Sequence, residues 1–166
     1  MTIKTGQPLP LLTLPVVGGA PIALNELHGG KFSILVFYRG YHCRRCNPHL
    51  NLYQSLLSDF EAQGADVIAV SADTEDRATL SVEEWGLDRL KVAYDFPIDR
   101  APDWGLFVTA RTKPEDPEQF TEPALFIIGP NRALDHGIIN TAQRLRPHPA
   151  DVLAHIKERV EEAAVA

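Results

Sequence analysis

Two runs of strand-forming residues fix the centre of this fold. Ser33 to Tyr38 (Ser-Ile-Leu-Val-Phe-Tyr) and Asp66 to Ala72 (Asp-Val-Ile-Ala-Val-Ser-Ala) are nearly continuous in apolar residues and do not alternate with polar ones. A strand that is apolar on both sides belongs to a sheet covered on both faces. Between the runs, Cys46, Leu50, Tyr53, Leu57 and Phe60 recur at spacings of four, three, four and three, and Gly64 follows. That is the stripe of an amphipathic helix with a glycine at its end. Strand, helix and strand within 40 residues make a βαβ unit, a right-handed crossover between two parallel strands.

The rest of the chain builds onto that unit. Residues 1–30 are rich in Pro and Gly, with the turn signal Gly18-Gly19, and read as extended structure or a small hairpin. Thr74 to Trp85 reads as a helix capped by Asp73 or Thr74 and ended near Gly86. A short strand is expected around Lys91–Tyr94 and a helix of one or two turns around Pro102–Phe107. Residues 111–122, polar and carrying Pro114 and Pro117, read as a surface loop. Ala124–Ile128 and Ala133–Ile139 flank the turn Gly129-Pro130-Asn131-Arg132 and predict a hairpin. Pro149 to Ala164 closes the chain as an amphipathic helix with Val152, Ile156 and Val160 inward. The expected architecture is α/β, one domain over residues 1–166, a mixed central sheet with helices on both faces and an extended or hairpin N-terminal extension.

Composition agrees with a single globular domain and narrows its partners. The 166 residues suffice for one full hydrophobic core. Sixteen basic against 22 acidic residues give a net charge of −6, which argues against general binding of nucleic acid or anionic membrane. No stretch approaches the roughly 20 apolar residues that span a bilayer, and no apolar run follows a basic start. The expected address is the cytoplasm, where two cysteines close in sequence are more often catalytic or metal-binding than structural.

Those two cysteines, Cys43 and Cys46, fall where the first strand ends and the helix begins. Two intervening residues at a helix N-terminus bring the Cα atoms close enough for a disulfide. The free N–H groups and the positive end of the helix dipole favour a thiolate. Charge adds to this: residues 27–58 contain no Asp or Glu but carry Lys31, Arg39, Arg44 and Arg45. A thiol of pKa about 8.5 is only about 3% thiolate at pH 7. Lowering it by about 2 units takes roughly 2.7 kcal/mol and raises the thiolate to about 75%. The pattern reads as a redox-active dithiol. Against it stand a buried inert pair and a metal site, His42-Cys43-x-x-Cys46-x-x-His49, whose continuous helix would not wrap four ligands tetrahedrally.

Other motifs are weaker. Gly29-Gly30-Lys31 is followed by Phe32 and a strand, not by the Ser/Thr and helix of a phosphate loop. His28, His136, His148 and His155 read as surface or core residues, Trp85 and Trp104 as packing, and the Glu83-Glu84 and Glu161-Glu162 pairs as solvated faces.

At the strand end Leu35-Val36-Phe37-Tyr38-Arg39-Gly40, the Cys43–Cys46 pair, Val70-Ser71-Ala72-Asp73 and Pro123-Ala124-Leu125-Phe126-Ile127-Ile128, the chain resembles a known group. It is similar to the peroxiredoxin-like branch of the thioredoxin superfamily, often labelled alkyl hydroperoxide reductase/thiol-specific antioxidant. Peroxiredoxins carry Pro-x-x-x-Thr-x-x-Cys after the Phe-Tyr strand end; without gaps the Pro falls on Arg39, the Thr on Cys43 and the peroxidatic Cys on Cys46. The arginine that peroxiredoxins place before the Leu-Phe-Ile-Ile strand falls on Pro123, which leaves Arg39, Arg44 and Arg45 as candidates to replace it. Thioredoxins instead imply a cis-proline, at Pro123, facing a Cys-x-x-Cys whose first cysteine attacks. The inward stripe places Cys46 in the core and Cys43 at the helix mouth, so the residues favour the same order, with His42 tuning the thiol or shuttling a proton.

The resemblance implies a thiol oxidoreductase that reduces hydroperoxides or disulfides through a Cys43–Cys46 dithiol. No cofactor or metal is implied; the reset comes from a thioredoxin-like or small-thiol reductant, and a homodimer is compatible with it. The alternatives are a thioredoxin-like disulfide reductase without peroxidase activity and a non-enzymatic metal-binding or redox-sensing module.

Overall fold

The computed structural model describes residues 3–27 and 31–166, so the Gly29-Gly30-Lys31 motif is described only at Lys31, and His28 lies outside the described residues. Nine strands and five α-helices occur among them: β1 (Thr13–Val16), β2 (Gly19–Ala23), β3 (Phe32–Phe37), α1 (Cys46–Ser55), α2 (Leu57–Ala62), β4 (Ala65–Val70), α3 (Glu75–Trp85), β5 (Lys91–Ala93), α4 (Ala101–Trp104), β6 (Val108–Ala110), β7 (Gln119–Thr121), β8 (Ala124–Ile128), β9 (Leu134–Ile139) and α5 (Pro149–Val165). Seven strands form one sheet in the order β2-β1-β5-β4-β3-β8-β9. β3 and β4 pair in parallel from Phe32↔Ala65 to Phe37↔Val70, as the two apolar runs require. β8 and β9 complete the sheet as the expected antiparallel hairpin, and β1 and β2 form the N-terminal one.

Every residue of β3 is buried, and its side chains alternate between two cores. Ile34 and Val36, with Val67, Ala69, Leu125 and Ile127, join the stripe residues of α1 and α2 and the inward face of α5. Leu35 and Phe37, with Ile68, Val70 and Phe126, join α4 and the N-terminal segment. On that second face Phe37 makes ring contacts at 5.1–5.6 Å with Phe96, Trp104 and Phe126. Each such fully buried side chain contributes about 1.5–3 kcal/mol. No helix among the described residues is long and apolar enough to cross a membrane.

Two expectations are corrected. The helix from Cys46 is broken at Leu56, although Leu50, Tyr53, Leu57 and Phe60 all remain buried along the predicted stripe. Residues 111–122 are not simply a loop, because β6 and β7 pair as a separate two-stranded ribbon. Pro114 and Pro117 sit in its connecting turn, where the missing donors cost nothing. That leaves Val108, Thr109, Phe120 and Thr121, good strand formers, free to pair.

One row across the sheet positions the site. Val16, Ala93, Val70, Phe37, Ala124 and Ile139 are successive cross-strand partners. The segments after Phe37, before Ala124 and after Ile139 therefore meet at one end of the sheet. For β3 and β4 this is the carboxyl end, where ligand sites of open α/β sheets gather.

Candidate active site

The loop after β3 is held by β4's own exit. Asp73, buried, accepts a hydrogen bond from the Tyr41 backbone N–H at 2.7 Å and pairs with Arg77 at 3.3 Å. Gly40 sits against this carboxylate with φ +132°, and a Cβ there would meet Asp73 Oδ1 at 2.6 Å. The position requires glycine. From this anchor the chain turns through Cys43 N–H to Gly40 O (3.0 Å) and Cys46 N–H to Cys43 O (3.1 Å) into α1. Cys46 is the first residue of α1, and the first turn carries no acidic side chain.

The two sulfurs lie 2.7 Å apart, both as free thiols. Their environments differ. Cys46, fully buried in the α1 core, is pushed well above the ordinary thiol range, first by burial and then by its neighbour. Cys43 is pushed down to about 5, first by the hydrogen bond that the Cys46 thiol donates to it and then by Arg146, against the opposing effect of burial. Cys43 also lines a polar cleft of about 500 Å³ with Arg39, His42, Arg44, Arg45, Thr112 and Asp116 among its walls; Cys46 does not.

Arg146 is the residue that sequence reasoning missed. Its guanidinium donates to Cys46 Sγ at 3.2 Å and to Cys43 Sγ at 3.5 Å. The arginines singled out from the sequence stand elsewhere. Arg44 and Arg45 are exposed on the cleft wall. Arg39 forms an ion pair with buried Glu122 at 3.1 Å, donates to Gln143 at 3.0 Å and lies 4.6 Å over the Phe120 ring. Glu122 in turn accepts from Thr109 at 2.6 Å, which ties the β6–β7 ribbon to the cysteine loop. The cation bonded to the sulfurs thus comes from the segment after β9. The only sequence signal for it is the hairpin register, which returns the chain to this end of the sheet.

His42 packs on Phe120 with ring centroids 4.5 Å apart, and neither ring nitrogen has a hydrogen-bond partner. Burial pushes its pKa down to about 4, so it is neutral at pH 7 and adds no positive charge beside Cys43. His49 is also pushed down to about 4 by burial, and its Nε2 lies 3.2 Å from the Pro147 carbonyl, to which it donates. These histidines and the cysteines do not form a ligand set: among the described residues no three His, Cys, Asp or Glu are grouped to hold a metal ion. Pro123 is buried beside Tyr53, His49 and Arg146. Its peptide bond is trans, unlike the cis-proline of the thioredoxin pattern, because no cis bond occurs among the described residues.

Solved structures share this architecture. Among similar folds are a cysteine-to-serine mutant of PrxQ from Xylella fastidiosa (20% identity, TM-score 0.78, 96% of this chain and 98% of that one) and peroxidoxin BcpB from Mycobacterium tuberculosis (20%, 0.75, 94% and 97%). A cysteine-to-serine mutant of peroxiredoxin 6 from Arenicola marina has a TM-score of 0.80 at 20% identity, covering 93% of this chain and 72% of that one. No curated protein matches the sequence. The profile of the AhpC/TSA family matches residues 5–136, ending short of Arg146. With a match over most of its length, the fold of these peroxiredoxins and a paired-thiol site at the sheet's carboxyl end, the chain belongs to the AhpC/TSA family.

Proposed function

We propose that the protein is a thiol peroxidase in which Cys43 attacks and Cys46 resolves. The observation that carries this is the single geometry of Cys43 Sγ, which accepts from both Cys46 and Arg146 while lining the polar cleft. The Cys43 thiolate attacks one peroxide oxygen; the S–O bond forms, the O–O bond breaks, and the leaving oxygen takes up a proton to depart as alcohol or water. The Cys46 thiol then attacks the sulfenic sulfur, closing the Cys43–Cys46 disulfide and releasing water. Arg146, bonded to the Cys43 sulfur, stabilises the thiolate before attack. A thioredoxin-like protein or small thiol returns two electrons by disulfide exchange. A reducing cytoplasm suits this cycle, and a homodimer is compatible with it.

A second reading is supported by the departures from the peroxiredoxin pattern at Arg39, Cys43 and Pro123, which leave a thioredoxin-type Cys-x-x-Cys. In that reading the same Cys43 thiolate attacks a substrate disulfide. Thiol loss in the reduced protein mixed with hydrogen peroxide separates the two. Oxidation orders of magnitude faster than that of free dithiothreitol is the expected result. A rate equal to that of dithiothreitol, with rapid reduction of a protein disulfide, would replace the peroxidase by an exchanger.

A further inference from the structure

The segment that delivers Arg146 to the sulfurs also presents a surface that the fold itself does not use. Leu145 is 97% exposed although its backbone adopts φ +58°, a left-handed conformation that favours glycine. The Asn140 side chain holds that turn, donating to the carbonyls of Arg144 and Leu145 at 2.9 and 3.3 Å. Leu52 of α1, 41% exposed, and Pro48 face the same open groove of about 600 Å³. Its rim is cationic, with Arg45, Arg144 and Arg146 and no acidic side chain lining it, in a chain whose net charge is −6. Neither Arg45 nor Arg144 makes an ion pair among the described residues.

Exposed leucines beside two arginines that make no ion pair among the described residues have the composition of a protein-docking patch, apolar at the centre and charged at the edge. The groove also shares Arg146 with the sulfur pair, and both cysteines are almost wholly buried. In the dithiol form Cys43 is only 2% exposed and Cys46 not at all, so little of either sulfur is open to a partner's thiolate. A partner that grips Leu145 and Arg144 acts on the residues next to the guanidinium bonded to those sulfurs.

We propose that the groove formed by Pro48, Leu52, Arg144 and Leu145 docks an acidic dithiol protein that reduces the Cys43–Cys46 disulfide. This rests on the peroxidase reading for the origin of the disulfide. One partner thiolate attacks one sulfur of the pair, forming a mixed disulfide while the other sulfur leaves and takes up a proton. The second partner thiol, deprotonating, then attacks the mixed disulfide. The partner ends oxidised to a disulfide and this protein reduced to its dithiol, with two electrons transferred.

The test uses the full chain oxidised with diamide, so that no peroxide step enters and failure of the peroxidase reading does not affect the outcome. Reduction is followed with acidic thioredoxin, with dithiothreitol and with glutathione. Wild type should be reduced by thioredoxin far faster per thiol than by dithiothreitol, at a rate that falls as salt rises. Arg144→Glu should lower the thioredoxin rate about tenfold, with the dithiothreitol rate unchanged. Leu145→Gly, which relaxes the left-handed turn while deleting the side chain, should act in the same direction. Equal losses with thioredoxin and dithiothreitol would overturn docking in favour of a local effect on the sulfurs. A loss confined to glutathione would make the groove a site for a small anionic thiol. An unchanged thioredoxin rate, or no disulfide formed by diamide, would also overturn it.

Discussion

Cys43 and Cys46 are three residues apart in sequence and bonded to the same guanidinium, yet their surroundings push their acidities in opposite directions. Cys46 begins α1 inside an apolar core with Leu50, Tyr53 and Val36, where a charge has little solvation. Cys43 belongs to the same core but also stands at the wall of a polar cleft and receives the hydrogen bond that Cys46 has to give. One thiol is kept protonated and donates; the other accepts, which in the proposed function makes it the nucleophile. The pair shows how a fold gives one residue type two acidities by setting a difference in environment across the turn that leads into a helix.

The largest effect that would break this contrast is loss of the acceptor. Cys43→Ser should cut the rate of peroxide consumption about a thousandfold or more, whereas Cys46→Ser should retain a fast first oxidation and lose only turnover. Stopped-flow oxidation of the two variants checks this. Next comes Arg146→Ala, for which a loss of about a hundredfold near neutral pH is expected, with Arg146→Lys recovering part of it. The rate of Arg146→Ala should also fall off at a higher pH than that of wild type. The sign follows from the depressed Cys43 pKa: in wild type the thiolate, and the rate with it, is lost only as pH falls through about 5. Without the guanidinium that limb moves upward.

A smaller effect tests the anchor of the loop. Gly40→Ala places a methyl group on the Asp73 carboxylate and forces φ out of its left-handed range. A loss of about 1–3 kcal/mol in chemical unfolding is expected, accompanied by slower peroxide oxidation. The smallest is the pH dependence of stability. His42 and His49, held near 4 by burial, contribute stability that is fully present above about pH 6.5 and lost as pH falls toward 4. Thermal unfolding midpoints in that window should drop less in His49→Gln than in wild type.

The two halves of the molecule were unequally legible in the sequence. The β3–α1–β4 unit could be read because Ser33–Tyr38 and Asp66–Ala72 are nearly continuous in apolar residues and the Cys46–Phe60 stripe has helical spacing. The Cys43–Cys46 pair, its location at the helix start and the C-terminal helix were readable in the same way. The β6–β7 ribbon was not, because the prolines and charges of its turn dominate residues 111–118 and hide two three-residue strands. Arg146 was hidden for a different reason. Nearby charges in sequence, Arg39, Arg44 and Arg45, are the natural candidates, but Arg39 is taken up by Glu122 and the other two face solvent. The sulfurs' partner arrives from 100 residues away through the register Phe37↔Ala124↔Ile139, which only the folded sheet defines.

The most direct test of the division between the two thiols is to identify the sulfur that first bears oxygen. Cys46→Ser and Cys43→Ser proteins, reduced and then mixed with equimolar hydrogen peroxide in the presence of a sulfenic-acid trap such as dimedone, are digested and read by mass spectrometry. The expected result is rapid, stoichiometric labelling of Cys43 in Cys46→Ser and near-absence of label in Cys43→Ser. Fast labelling of Cys46 in Cys43→Ser, with a slow Cys43, would contradict it and return the attacking role to the position that the peroxiredoxin pattern assigns.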